Sequence, residues 1–344
     1  MAVIGVGGWG KNYLRVYSRL KQLCTLKAIC DIDESRAKYY GEMYKVAWYT
    51  DMASLLQRED VDALNICTPP QTHYNLALEA IKAGKHVLVE KPMALTSSQA
   101  VEVYREAKKR GLCLMVGFIE RFNSGVLKLK DLIDTGSLGV TRFISATRIS
   151  PWAPTANSIG VTLDTAIHDV DTIRFITGQN PVRVYAEVPN QNEGRLEGRE
   201  TSVEILLRFR GDLSAYLVAE WLKPAGERIN KIRQLQVTGS EGVAILSYIP
   251  QLVWRISAVD VLSPFVSEDG RPKYSRDPRD ATLIEPLIWL EPLEVELKNF
   301  IQSITNGDEP VASGVDGIRA VEIVEMASRS VEAGKPQTIT YRAI

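Results

Sequence analysis

Over the first third of the chain, apolar residues come in short continuous runs: "AVIGV", "LKAIC", "DALNIC", "HVLVE" and "LCLMVGF". Between them lie segments with apolar residues at three- and four-residue spacing, at 11–23, 34–43, 75–83 and 98–110. Short runs apolar on both faces are strands buried on both sides, and the intervening pattern is that of amphipathic helices. Their regular alternation predicts βαβ units and a doubly wound parallel sheet. From about Gly139 the pattern changes. Apolar and polar residues now alternate in "TRFISATRI", "VRVYAEV", "SVEILLRF", "SAYLVAEWL", "IRQLQVTG", "GVAILSYI" and "LVWRIS". A period of two predicts a large, mostly antiparallel sheet with one covered face. A polar stretch at 268–280 predicts an exposed loop, and helical patterns at 293–305 and 315–333 close the chain. The expected fold is therefore α/β, with a Rossmann-type domain over 1–118 and an α+β domain over 119–344.

Composition narrows the function classes. The 344 residues include 41 Lys plus Arg against 42 Asp plus Glu, a net charge of −1. That leaves no basic field for nucleic acid or an anionic membrane. No apolar run approaches the roughly 18 residues of a membrane span, and the first residues read as a strand rather than a signal peptide. Cys24, Cys30, Cys67 and Cys113 show no CxxC spacing, which predicts free thiols in a cytoplasmic protein without a metal site.

Candidate chemistry begins at "VIGVGGWGKN". Gly5, Gly7 and Gly10 form a GxGxxG pattern, with Gly8 and Trp9 inside it, directly between a strand and a helix. Such a loop presents backbone N–H groups to a pyrophosphate at a helix N-terminus. Asp31 ends the next strand at about the 20-residue offset of a carboxylate that binds the adenosine ribose. With Asp33 and Glu34 beside it, NAD is favoured over NADP, although Arg36 is a possible partner for a 2′-phosphate. The turn "CTPPQTH" follows another strand, so Thr68 and Pro69 are expected beside the cofactor. His73 is either a neighbour of the cofactor or a structural residue at the start of a helix. Glu90, Lys91 and Pro92 end a further strand at the same edge, where an anchored lysine suits a substrate hydroxyl.

The stretch "LDTAIHDVDTIRF" holds His168, one of only three histidines in the chain. At 100° per residue, Leu163, Ala166, Ile167, Val170 and Ile173 form a core stripe. Asp164, His168 and Asp171 share a flank and Asp169 points elsewhere.

Together these motifs resemble the Gfo/Idh/MocA family of oxidoreductases. The matching residues are the glycine pattern, Asp31, "TPPQTH", "AGKHVLVEKP", "GFIERFN", Asp164-x-x-x-His168-Asp169, and the closing "PLEVELKNFIQSI" and "VDGIRAVEIVEMASRS". The resemblance implies an NAD(P)-dependent dehydrogenase in which Lys91, Asp164 and His168 surround the reacting carbon of a sugar or polyol. It places Arg121 near the cofactor and implies a cis Lys91–Pro92 peptide. It also implies a homodimer or homotetramer formed through the second-domain sheet. Glu120 departs from the pattern, because inositol dehydrogenases commonly carry another basic residue there. Other segments are similar to nucleotide-sugar dehydrogenases, particularly those that oxidise the 3-hydroxyl of UDP-N-acetylglucosamine. That reading makes Asn123, Arg148 and Trp152 substrate contacts, with Arg228, Lys231 and Arg233 as further basic candidates. A solvated sheet edge explains those basic residues equally well, and a helix cap explains Asn123. Free sugars or inositol are the alternative substrates, Lys91 is the rival of His168 as base, and a non-catalytic NAD(P)-binding regulator is the alternative of another class.

Overall fold

The computed structural model describes residues 1–151, 159–189, 195–196, 199–222, 231–248, 251–257, 282–284 and 291–344. They form two compact units. The first comprises Met1–Phe122, Leu290–Glu325 and Tyr341–Ile344, and the second comprises Asn123–Trp289 and Met326–Thr340.

The first unit alternates strand and helix: β1 (Ala2–Ile4), α1 (Gly10–Tyr17), β2 (Ala28–Cys30), α2 (Glu34–Tyr44), β3 (Ala47–Tyr49), α3 (Met52–Leu56), β4 (Ala63–Ile66), α4 (Pro70–Lys82), β5 (His86–Glu90), α5 (Ser97–Lys109) and β6 (Leu114–Gly117). The six strands are parallel in the order β3-β2-β1-β4-β5-β6. β1, β2, β4 and β6 are buried at every position, and only His86 escapes full burial on β5. That is why they read as unbroken apolar runs. β3 was not expected: "AWY" is short and half-buried, and too brief to show a period. Helix starts follow local capping, with Asp33 accepting from Arg36 N, Asp51 from Ser54 N and Thr96 from Gln99 N. A 3-10 turn spans Ile119–Phe122.

The second unit carries α6 (Ser124–Asp134), β7 (Thr141–Pro151), a π-helical turn at Thr162–Ala166, α7 (Ile167–Thr177), β8 (Arg183–Glu187), β9 (Arg195–Leu196), β10 (Arg199–Glu200), β11 (Ser202–Arg208), β12 (Ser214–Leu222), β13 (Ile232–Gly239), β14 (Gly242–Tyr248), β15 (Gln251–Ser257) and β16 (Thr282–Ile284). After α8 (Pro292–Asn306) and α9 (Gly314–Ala333), β17 (Gln337–Thr338) completes a nine-stranded sheet in the order β16-β15-β14-β13-β7-β12-β11-β8-β17. Every pair is antiparallel except β7 with β12. β12 alternates half-buried and buried residues along its whole length, so one face meets the core and the other does not.

The sequence pattern assigned everything after residue 118 to the second domain. In the structure α8 and the first part of α9 belong to the first unit, where α8 packs on α1 and on the 3-10 turn. The expected loop at 268–280 lies outside the described residues. No helix among the described residues is long and apolar enough to cross a membrane.

Candidate active site

The glycine loop joins β1 to α1, and its glycines have two different reasons for being there. Gly5 has φ +81°, and a Cβ on it would lie 2.8 Å from Thr68 Cγ2. A Cβ on Gly10 would lie 1.9 Å from Gly5 O, so both glycines are demanded by the chain's own packing. A Cβ on Gly7 would meet nothing closer than 3.6 Å, and one on Gly8 nothing within 4 Å. Their smallness leaves the backbone at the start of α1 open to a ligand, as a pyrophosphate requires. Asp31 is buried and fastens this loop, accepting from Val6 N at 2.9 Å and from Asp33 N at 3.0 Å. Arg36 Nη1 donates to both Asp31 oxygens at 3.2 Å, and Nη2 donates to Asp33 Oδ2 at 3.0 Å. Arg36 is thus held by two carboxylates. The loop, the helix N-terminus and Asp31 fit a dinucleotide.

The strand-end loops beside it are stitched together. His73 is 1 % exposed, with Nδ1 2.8 Å from Pro92 O and Nε2 2.8 Å from Thr68 O. Burial lowers its pKa. Both ring nitrogens face backbone carbonyls, so His73 joins the Thr68 loop to the Lys91–Pro92 turn. Thr68 Oγ1 bonds Thr72 Oγ1 at 2.6 Å, and Pro69 stands at the start of α4. The Lys91–Pro92 peptide is cis, as the resemblance implied. Lys91 N donates to Glu90 Oε2 at 3.2 Å. Glu90 Oε1 accepts from the Trp9 indole N–H and, at 2.7 Å, from the Tyr13 hydroxyl.

In the second unit, the segment around His168 is not one regular helix. The π-helical turn at Thr162–Ala166 holds more residues per turn than an α-helix, so the 100° arithmetic does not carry across it. Leu163, expected in the core stripe, is only half-buried. Across 161–174, Leu163, Asp164 and His168 are the three residues that are not buried. The turn is secured by Trp221 Nε1 donating to Thr165 Oγ1 at 2.9 Å, and Thr172 Oγ1 donates to His168 O at 2.8 Å.

Several expected site residues have other work. Arg148 is 3 % exposed and bonds Asp169 through Nε and Nη2, both at 2.9 Å, with its guanidinium over the Tyr248 ring. It is held by Asp169 within the second unit. Asp171 is buried with Arg174 3.5 Å away, so it does not share the accessible flank of His168. Asn123 caps α6, accepting from Gly125 N at 2.9 Å, which realises the cap reading. Arg121 is buried in the first unit, donating to Val311 O at 2.6 Å and pairing with Asp316 at 2.8 Å. Its guanidinium secures the start of α9. Lys231 is exposed and Arg233 half-buried on β13. Trp152 and Arg228 lie outside the described residues. The four cysteines are free thiols, and burial pushes Cys30 and Cys113 up to about 12.

Comparison with known proteins agrees with this layout. Residues 1–118 match the GFO/IDH/MocA oxidoreductase family, NAD-binding Rossmann fold, and 126–245 match the GFO/IDH/MocA C-terminal domain. The myo-inositol 2-dehydrogenase of Thermotoga maritima is 30% identical over 342 residues, covering 96% of each chain. The chain belongs to the Gfo/Idh/MocA family. It is an NAD-binding oxidoreductase, like the Gfo/Idh/MocA dehydrogenases it resembles. A UDP-N-acetylglucosamine 3-dehydrogenase of Acidithiobacillus ferrooxidans is 33% identical over 184 residues, 54% of this chain and 56% of that one. A crystal structure of a probable dehydrogenase from Thermotoga maritima superposes with a TM-score of 0.80 at 26% identity, covering 98% of both chains.

Two residues escaped the sequence reading. Tyr13 is fully buried and bonds Glu90, and Glu296 on α8 is fully buried beside the same group. Glu296 had a visible signal. It occupies the apolar stripe of α8 with Leu293, Leu297, Phe300 and Ile301, where a carboxylate does not belong.

Proposed function

We propose that this enzyme oxidises a secondary ring hydroxyl of a sugar or cyclic polyol, with Lys91, Asp164 and His168 as its working residues. The observation that carries the reading is the accessible pair Asp164 and His168 on an otherwise buried helical segment of a family of dehydrogenases. His168 takes the proton of the hydroxyl being oxidised. Asp164 orients the imidazole, and Lys91 stabilises the developing alkoxide. NAD, held by Gly5–Gly10 and Asp31 with Thr68 and Pro69 beside it, supplies the hydride acceptor when bound.

Two substrate readings stand. The whole-length likeness to a myo-inositol 2-dehydrogenase supports an uncharged polyol. The buried pairing of Arg148 with Asp169 also fits an uncharged substrate better than a diphosphate. The 33% likeness to a UDP-N-acetylglucosamine 3-dehydrogenase supports the 3-hydroxyl of that nucleotide sugar. We place the polyol first. NADH production and thermal stabilisation in the presence of NAD, measured with myo-inositol, free hexoses and UDP-N-acetylglucosamine, decide between them. Turnover with inositol or a free sugar alone supports the first reading, turnover with the UDP-sugar alone supports the second, and turnover with none removes both.

A further inference from the structure

Glu296 is a buried acid that the proposed chemistry does not use. Its side chain is 0% exposed, and neither carboxyl oxygen has a hydrogen-bond partner among the described residues. The groups that act on it or feel its charge are Glu90 at the end of β5, Glu120 in the 3-10 turn, Tyr13 and Tyr17 on α1, and Cys67 after β4. All five are acids, so no cation among them offsets a charge on Glu296. Burial, reinforced by Glu90 and Glu120, pushes Glu296 well above the usual carboxylate range.

Glu90 is placed differently. It is also raised by burial, but the Tyr13 hydrogen bond, the Lys91 charge and the Trp9 hydrogen bond pull it back. Three donors converge on it: the Trp9 indole, the Tyr13 hydroxyl and the Lys91 backbone N–H. A negative charge is therefore supported on Glu90 and unsupported on Glu296. Trp9 belongs to the glycine loop and Tyr13 to the helix behind it. Glu90 thus ties the dinucleotide loop to the turn that carries Lys91.

We propose that Glu296 is a positioning residue for dinucleotide binding: as a neutral carboxylic acid it lets Glu90 alone carry the charge that docks Trp9 and α1 on the Lys91 turn. The proposal rests on NAD binding at the glycine loop and is independent of the substrate. Its pH dependence has one sign. Glu296 is neutral below its raised pKa, and as pH climbs through that value a second negative charge appears beside Glu90. Repulsion then loosens the loop, and affinity for the dinucleotide falls on the alkaline side.

The test is NADH binding by cofactor fluorescence from about pH 7 to about pH 10, with circular dichroism at each pH to confirm a native fold. The wild-type dissociation constant is expected to rise about tenfold across that range, the equivalent of one charge-assisted hydrogen bond. Glu296→Gln is expected to flatten the curve, because an amide does not ionise. Glu90→Gln is expected to weaken binding about tenfold at neutral pH by removing the charged acceptor. An alkaline loss in Glu296→Gln as steep as that of the wild type overturns the proposal. So does a Glu90→Gln variant that binds as tightly as the wild type. A wild-type curve flat to the alkaline end overturns it without any variant.

Discussion

His168 and Asp164 remain accessible where every residue from Thr165 to Ile167 and from Asp169 to Arg174 is buried. His168 is only partly exposed, and under the proposed role its removal should affect chemistry more than folding. His168→Asn is expected to lower turnover by about 10²–10⁴-fold, the usual contribution of a positioned acid–base group. NADH binding should be unchanged, since the cofactor loop is in the other unit. Single-turnover kinetics alongside an NADH titration check it, and wild-type turnover would transfer the role of base to Lys91. Three single-residue readings meet protein partners that the sequence did not announce. Arg148, Arg121 and Asn123 each carry groups suited to a ligand, but a sequence does not say which partner reaches them first. Arg148 meets a carboxylate 21 positions away, Arg121 a carbonyl 190 positions away, and Asn123 an amide only two positions away. The last was foreseeable because a cap is local. The first two depend on how distant segments pack.

At the scale of elements, the glycine loop separates what the fold needs from what the ligand needs. Gly10→Ala would put a Cβ 1.9 Å from Gly5 O, and Gly8→Ala would put one in open space. Gly10→Ala is expected to destabilise the protein by about 1–3 kcal/mol, as overpacking does. Gly8→Ala is expected to leave stability within about 0.5 kcal/mol and to weaken NADH binding. Urea unfolding and NADH titration of the two variants check this. Equal loss of stability in both would mean that Gly8 is also structural. The π-helical turn before α7 is the element least legible in advance. Its extra residue per turn moves Leu163 out of the core stripe, and Trp221 bonded to Thr165 is part of the tertiary setting in which that turn sits. The strands were legible because burial on two faces, or alternation on one, writes itself directly into residue type.

For the whole molecule, sequence order and packing order part company. α8 follows the large sheet in the chain but packs in the first unit, where its apolar stripe meets α1 and the 3-10 turn. Among the described residues, β12 of the nine-stranded sheet turns one face to the core and leaves the other half-buried. Tyr185, Leu206 and Tyr216 lie side by side across β8, β11 and β12 on that face, with Leu206 45% exposed. The oligomer that the family resemblance implies through this sheet makes the row a place to test. Sedimentation velocity is expected to show a dimer or tetramer, and Leu206→Arg to shift it toward monomer with the circular dichroism spectrum unchanged. A wild-type monomer at micromolar concentration would remove that reading.

The sequence by itself determined the parallel sheet, the large alternating sheet and the dinucleotide loop with Asp31. Each is a local pattern: a period, a spacing or a glycine required by a turn. The tertiary structure decided which charged groups are occupied by one another, placing Arg148 on Asp169 and Arg121 on Asp316. It also brought Glu90 and Glu296 into one buried cluster from 206 positions apart in the chain. Burial and long-range pairing set the charge state and availability of a side chain, and neither is a property of the residue's neighbours in sequence.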